Sequence, residues 1–396
     1  MNITVSEIKA KANDLNDWLL NVRRHLHQHP ELSFHEHKTS DYIATQLEEL
    51  GIPFKRNIAG TGILAHIKGK AGQGKCIALR ADMDALPITE DSGCSFSSVN
   101  EGVMHACGHD IHTTCLLGAA QILNELKANI SGTILLIFQP GEEVLPGGAS
   151  LMLNEGMFDT FEPELILGLH VQPNIATGSV GFRPGMYMAS SDELYLTVNG
   201  KGGHGAMPYQ TTDPVLATAH ILVALQQIVS RNANVAIPTV LSFGKVIANG
   251  ATNVIPSEVK CEGTFRTMNE EWRKDAHQRM KKMAAGIAES MGCTANLHIE
   301  NGYPVLVNDV AATNNAIKYA TELLGNDKVE ALDLRMTSED FAYYAIQYPA
   351  VFFRLGVEPE DGKSQPLHSS KFVANENALA IGAATMSWLA LNFVKS

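Results

Sequence analysis

A chain of 396 residues, 45% apolar and 18% charged, is a folded protein of about two or three domains. Its formal charge of −12 repels phosphate backbones and argues against a nucleic-acid partner, and no run of eighteen apolar residues is present to span a membrane. The six cysteines (76, 94, 107, 115, 261 and 293) are scattered, and the start, Met1-Asn2-Ile3-Thr4-Val5-Ser6-Glu7, has no basic or apolar leader character. Reduced thiols and a cytoplasmic location are therefore expected. The acidity is uneven: residues 186–299 hold ten Lys/Arg and nine Asp/Glu, which leaves −13 on the rest.

In chain order, Ile8, Leu15, Leu19, Val22 and Leu26 share one face of an amphipathic helix that Pro30 stops. Apolar runs then alternate with helical patterns. A strand is predicted over 76–79, a helix over about 112–126, and strands over 133–138 and 165–169. A helix over 310–324, a strand over 351–355 and a helix over about 375–393 complete the series. Short apolar strands between helices predict an α/β body with a mostly parallel mixed sheet, built from 1–185 and 301–396.

Residues 186–300 have another rhythm. Leu194, Leu196 and Val198 alternate as a strand, and Asp213-Pro214 opens a helix running to about Ser230. Strands over 240–246 and 259–267 follow, then a helix over about 269–291 closed by Gly292, and a strand over 294–299. The order β-α-β-β-α-β is ferredoxin-like, so an insert domain is expected within the α/β body. Gly69-Lys70-Ala71-Gly72-Gln73-Gly74-Lys75 resembles a phosphate loop only on the surface. Cys76 stands at the hydroxyl position and a strand follows where a helix is required, so a plain loop is expected.

Chemistry concentrates in His105-Ala106-Cys107-Gly108-His109-Asp110-Ile111-His112. Cys107 and His109 are two residues apart, so loop backbone can aim both at one borderline transition metal. His105 and His112 fit supporting roles beside the ions or at a helix start. Arg80-Ala81-Asp82-Met83-Asp84, Gln139-Pro140-Gly141-Glu142-Glu143 and His170 each follow a predicted strand, where open α/β sheets place their sites. Two carboxylates after a Pro-Gly turn allow one to bind metal and the other to move protons. Gly202-Gly203-His204-Gly205, Asn253 and Arg266 offer an imidazole, an amide and a guanidinium in the insert, and spacing alone fits surface positions equally well. His368 comes late, with no local partner.

Together these segments resemble the hippurate hydrolase and indole-acetyl-amino-acid hydrolase group of the co-catalytic metallopeptidases, which includes aminoacylases. The matching motifs are Arg80-Ala-Asp-Met-Asp-Ala-Leu-Pro87, His105-Ala-Cys-Gly-His-Asp110, Phe138-Gln-Pro-Gly-Glu-Glu143, Gly168-Leu-His170, Gly200-Lys-Gly-Gly-His-Gly-Ala206, Asn253-Val-Ile-Pro256, Ser338-Glu-Asp-Phe341 and Leu367-His368. The resemblance implies that Cys107, His109, Glu143, His170 and His368 bind two divalent transition-metal ions (Zn, Mn, Co or Ni). It implies Glu142 as general base and acid, and the insert as a dimerisation lid whose His204 serves the partner subunit. Asn253 and Arg266 would hold the carboxylate or oxyanion of an N-acyl amino acid. Wider carboxypeptidase and dipeptidase relatives carry His-x-Asp where this chain has Asp82-x-Asp84, so the resemblance assigns no role to Asp82.

Three rivals remain at this level. A dipeptidase or aminopeptidase on the same centre needs an acidic group for the substrate amine, and none is evident. A cysteine hydrolase would use Cys107 as nucleophile with a nearby histidine. A silent binding protein on an enzyme fold would have no need of Glu142 as a proton shuttle.

Overall fold

The structure, a computed structural model, describes residues 3–395. The expected N-terminal helix is two helices, Val5–Asp14 and Asn16–Gln28, parted at Leu15. The break falls within Asn13-Asp14-Leu15-Asn16-Asp17, and Asn and Asp favour caps over helix interiors because their side chains compete for the backbone. Ile8, Leu19, Val22 and Leu26 still reach the same core.

The chain folds as two compact units. The larger comprises the residues up to Tyr187, Val307–Asp333 and those from Asp340 on; the smaller comprises Met188–Leu306 and Leu334–Glu339. The segment Leu334–Glu339 lies outside the expected insert. Ala189 donates its N–H to the carbonyls of Arg335 (3.0 Å) and Thr337 (3.1 Å), which ties the segment to the start of the smaller unit.

The larger unit is built on an eight-stranded sheet. Its order is Phe54–Ile58, Gly62–Lys68, Thr133–Gln139, Cys76–Asp82, Leu165–Ala176, Ala350–Glu358, Val180–Phe182, Val329–Ala331. The four strands from Thr133–Gln139 to Ala350–Glu358 are mutually parallel, with antiparallel pairing on either side. Ile134–Gln139 and Ile77–Asp82 are buried along their whole length, because helices cover both faces of a parallel sheet. Register sets Asp82 opposite Gln139 and Arg80 opposite Gly168, so three motifs leave the sheet at one end. Helix His109–Glu125 packs against Ala378–Phe393 on one face, and both helices are buried almost throughout.

The smaller unit has a four-stranded antiparallel sheet in the order Thr239–Ile247, Glu258–Thr267, Asp192–Asn199, Thr294–Asn301. With helices Pro214–Leu225 and Glu270–Ser290 between the strands, this is the β-α-β-β-α-β arrangement. The first of these helices is shorter than expected and passes into one π-helical turn, Ile228–Asn232. Leu194, Leu196, Val198, Ile221, Leu225, Phe265 and Met280 form a core of its own. Among the described residues, no helix is long and apolar enough to cross a membrane.

Candidate metal centre

Two tight backbone passages deliver the donor side chains. Beyond strand Thr133–Gln139 the chain turns at Pro140-Gly141, where Gly141 has φ 58°, a region open to glycine at no steric cost. Gly108, at φ 83°, is the residue before helix His109–Glu125, and a Cβ there would lie 2.5 Å from Val171 Cγ2. A glycine is therefore required between Cys107 and His109.

Around these turns, Cys107, His109 and His170 bring one donor atom each within 4.8 Å of one another. The same holds for Cys107, Glu143 and His368, and for His109, Glu142 and Glu143. Cys107 Sγ lies 3.5 Å from His170 Nε2, and His368 Nε2 lies 3.3 Å from Glu143 Oε1. The structure thus gathers the five expected ligands and Glu142 in one cluster of the larger unit. His368, more than half exposed, adopts φ 65° on its loop.

Hydrogen bonds fix the ring orientations. His170 Nδ1 is 2.8 Å from the carbonyl of Val171, which can only accept, so Nδ1 carries the hydrogen and Nε2 turns its lone pair to Cys107. His109 Nδ1 donates to Asp84 Oδ1 at 3.0 Å. Burial would raise Asp84, but the bonds from His109 and Ser33 hold it below its usual value, so it stays an anion. A carboxylate or carbonyl behind the ring is the usual support for a metal-binding imidazole.

Two buried polar atoms face each other across the centre. His109 Nε2 and Glu143 Oε1 are buried 3.9 Å apart, and neither makes a hydrogen bond among the described residues. Such atoms are costly unless something between them satisfies both. A thiol, three imidazoles and carboxylates form a donor set suited to borderline transition metals, so the residues fit a cation here. Burial pushes the Cys107 thiol up, and the charge of Glu143 adds to this. Burial and Arg354 hold His170 well below its usual value, which leaves it neutral.

Asp82 and His112 also lie near His109, but they are already satisfied. His112 Nδ1 donates to Asp82 Oδ1 at 2.6 Å, and His112 Nε2 accepts the Val171 N–H at 2.8 Å. Asp82 Oδ2 receives Arg80 Nη1 at 2.5 Å. Asp82 therefore braces helix His109–Glu125 and strand Leu165–Ala176 through His112, and offers no free oxygen to an ion. His105 is buried, makes no hydrogen bond through either ring nitrogen among the described residues, and is lowered by burial to about 4.

The family model described as Peptidase family M20/M25/M40 matches residues 78–392. The chain belongs to this family. As a member it is a hydrolase, and its relatives carry names of amide-cleaving enzymes. N-acetyl-L-cysteine deacetylase of Bacillus subtilis (strain 168) is 38% identical over 94% of this chain and 88% of its own. N-acyl-L-amino acid amidohydrolase of Geobacillus stearothermophilus is 40% identical over 77% and 82%. A crystal structure described as a dinuclear metal-binding peptidase from the M20 family, from Bacillus subtilis, superposes with a TM-score of 0.82 at 33% identity, covering 96% of this chain and 99% of its own.

The remaining expected site residues of this family member belong to the smaller unit. Gly203–His204 pairs with Val254–Ile255, and the Gly205 N–H donates to the Asn253 carbonyl at 2.8 Å, so exposed His204 and Asn253 share one short ribbon. Arg266, on strand Glu258–Thr267, is partly buried. Its Nη1 reaches the Met336 carbonyl and Ser338 Oγ only at 3.4 Å, and it has no ion pair among the described residues.

Sequence reasoning quoted Asp84 without a role and passed over Ser33 and Glu36. Asp84 Oδ2 accepts from Ser33 Oγ at 2.7 Å and from the Glu143 N–H at 3.0 Å, so one carboxylate steadies both the His109 ring and the loop that carries Glu143. Glu36 is fully buried, although it sits in a polar stretch that reads as solvated surface.

Proposed function

We propose that the protein hydrolyses the amide bond of N-acyl amino acids, releasing a carboxylate and a free amino acid. The observation that carries this reading is the sharing of Cys107 between two donor groups, one with His109 and His170 and one with Glu143 and His368, directly beside Glu142. Cys107, His109, Glu143, His170 and His368 would hold two divalent transition-metal ions there. When bound, such a pair lowers the pKa of water and polarises an amide carbonyl.

The rest falls to the chain's own residues. Glu142 is 7% exposed and close to the donor atoms of His109 and Glu143, where its carboxylate would take a proton from water. The same carboxyl then delivers that proton to the leaving nitrogen, whose departure requires it. Arg266 makes no ion pair among the described residues, although Asp192 and Glu193 lie near enough to act on its charge, which leaves its guanidinium suited to the substrate carboxylate. His204 and Asn253 are assigned to the oxyanion and carboxylate by the family resemblance, with His204 supplied to the partner of a homodimer.

Support for a dimer comes from the smaller unit itself. Val215, Leu216 and Val223 are exposed on helix Pro214–Leu225, and Val240, Val246 and Ile247 are exposed on the edge strand Thr239–Ile247. An edge strand and a helix that each expose apolar side chains are surfaces that a second copy can cover.

The test is hydrolysis of N-acetyl, N-benzoyl, long-chain acyl and indole-acetyl amino acids, with and without a chelator. Loss on chelation and recovery with divalent metal is the expected result. Full activity in metal-free protein would remove the metal reading. Faster cleavage of dipeptides than of any N-acyl amino acid would favour a peptidase.

A further inference from the structure

One buried carboxylate near the centre has no part in the chemistry above. Glu36 Oε1 accepts two backbone N–H groups, Phe34 at 2.9 Å and Gly141 at 2.8 Å. Its Oε2 accepts the Thr61 hydroxyl at 2.7 Å. Gly141 immediately precedes Glu142. Phe34 (φ 64°) and Gly141 (φ 58°) both sit in the left-handed region, and a Cβ on Gly141 would run into the Phe34 ring.

The Pro140–Glu143 turn is thus held at two successive points. Gly141 is tied to Glu36, and Glu143 to Asp84, whose second partner on the same oxygen is Ser33. Bonds from backbone N–H groups to a carboxylate are roughly twice as strong as neutral ones. Burial and the nearby Asp84 charge push Glu36 up to about 7. Either protonation state keeps an oxygen for the two amides, so the strap survives loss of the charge in weaker form.

We propose that Glu36 is a positioning residue that fixes the Pro140-Gly141 turn so that Glu142 stands in reach of the proton it moves. The proposal rests on the amidohydrolase reading for its catalytic consequence, but the strap itself can be measured without substrate. Glu36→Ala removes all three bonds. Glu36→Gln keeps an oxygen for Phe34 and Gly141. Thr61→Val removes one bond to the same carboxyl and leaves Gly141 untouched.

Hydrogen exchange of a peptide covering 138–147 should speed up by about tenfold or more in Glu36→Ala and stay near parental in Glu36→Gln and Thr61→Val. With the best N-acyl amino acid, Glu36→Ala should lose about 10- to 100-fold in kcat, because small misplacements of catalytic groups carry that cost. Its KM should stay within about threefold and its metal content should be unchanged, while Glu36→Gln restores most of kcat. Glu36→Met, which keeps the volume and removes the acceptors, replaces Glu36→Ala if the cavity prevents folding. Parental exchange in Glu36→Ala or Glu36→Met overturns the proposal whatever the enzyme's substrate. So does a Thr61→Val variant that loses as much kcat as Glu36→Ala. A parent inactive on every amide, with exchange behaving as expected, would overturn the amidohydrolase reading and leave the strap supported.

Discussion

Replacing Asp84 by asparagine should weaken metal binding through a change of histidine tautomer. Asp84 Oδ1 accepts from His109 Nδ1, and Oδ2 accepts from Ser33 Oγ and the Glu143 N–H. Asparagine has one oxygen and one NH2 group, so it cannot accept on both sides. If its oxygen serves Ser33 and Glu143, its NH2 meets His109 Nδ1, which must give up its hydrogen to Nε2. That hydrogen then occupies the lone pair facing Glu143 Oε1, 3.9 Å away, where a cation needs it. If the amide turns round, the Glu143 N–H loses its acceptor and the ligand loop loosens. Either way one hydrogen bond to a charged group is lost, worth about 1.5–3 kcal/mol. At 1.4 kcal/mol per factor of ten this is about 10- to 100-fold in metal affinity, the range typical of groups that support ligand histidines. Competition of metal-free protein with a chromogenic chelator measures it, with thermal unfolding as a check on folding. A folded Asp84→Asn protein that binds zinc within threefold of the parent would refute the tautomer reasoning.

Glu142→Gln should keep its metal and lose most of its turnover, whereas Glu143→Gln should lose metal as well; elemental analysis giving the reverse would swap the two roles. His27 tests the electrostatics behind the centre: burial pulls it down, but Asp110 and Glu90 prevail and raise it to about 10. A folded pKa above the unfolded one means that its stabilisation is complete below about pH 6.5 and is lost as pH rises through 10. The stability advantage over His27→Gln should therefore shrink by up to about 5 kcal/mol across that window, and a difference in urea unfolding that ignores pH would contradict it. For His204, inactive His204→Ala and Glu142→Ala homodimers should regain activity when co-expressed, because one site of a mixed dimer carries neither defect. Random pairing gives about a quarter of wild-type sites, and no recovery in confirmed mixed dimers would place His204 within its own chain.

What the sequence revealed follows from what each segment buries. Strands such as Cys76–Asp82 and Thr133–Gln139 are covered on both faces, so they read as unbroken apolar runs. Phe54–Ile58 lies at the sheet edge with Lys55 and Asn57 exposed, and nothing in Phe-Lys-Arg-Asn-Ile signals a strand. Helix His37–Glu49 is obscured by burial of Thr39, Ser40 and Gln46, polar residues that blur its apolar face. At the centre, residue types and their positions after strands were legible. The grouping of Cys107 with both His170 and His368 came from the family resemblance alone, because spacing says nothing about contacts between distant segments. Asp84 and Glu36 were missed as supports for the same reason: their partners Glu143 and Gly141 lie 59 and 105 residues away.

The place of Ala350–Glu358 in the sheet has a consequence for biosynthesis. This strand, late in the chain, is seated between Leu165–Ala176 and Val180–Phe182, near the middle of the larger unit. The sheet of the smaller unit is complete by Asn301, whereas the larger one waits for that strand and for the helix Ala378–Phe393 that packs on His109–Glu125. On the ribosome, the smaller unit can fold while Leu165–Ala176 still presents an open apolar edge, the kind of surface that chaperones occupy. His368 emerges after that strand, so the nascent chain holds Cys107, His109, Glu143 and His170 for the whole interval without its last expected ligand. On the proposed ligand set, complete metal loading would wait for residue 368, and a chain stalled before residue 350 lacks the strand that sits between Leu165–Ala176 and Val180–Phe182.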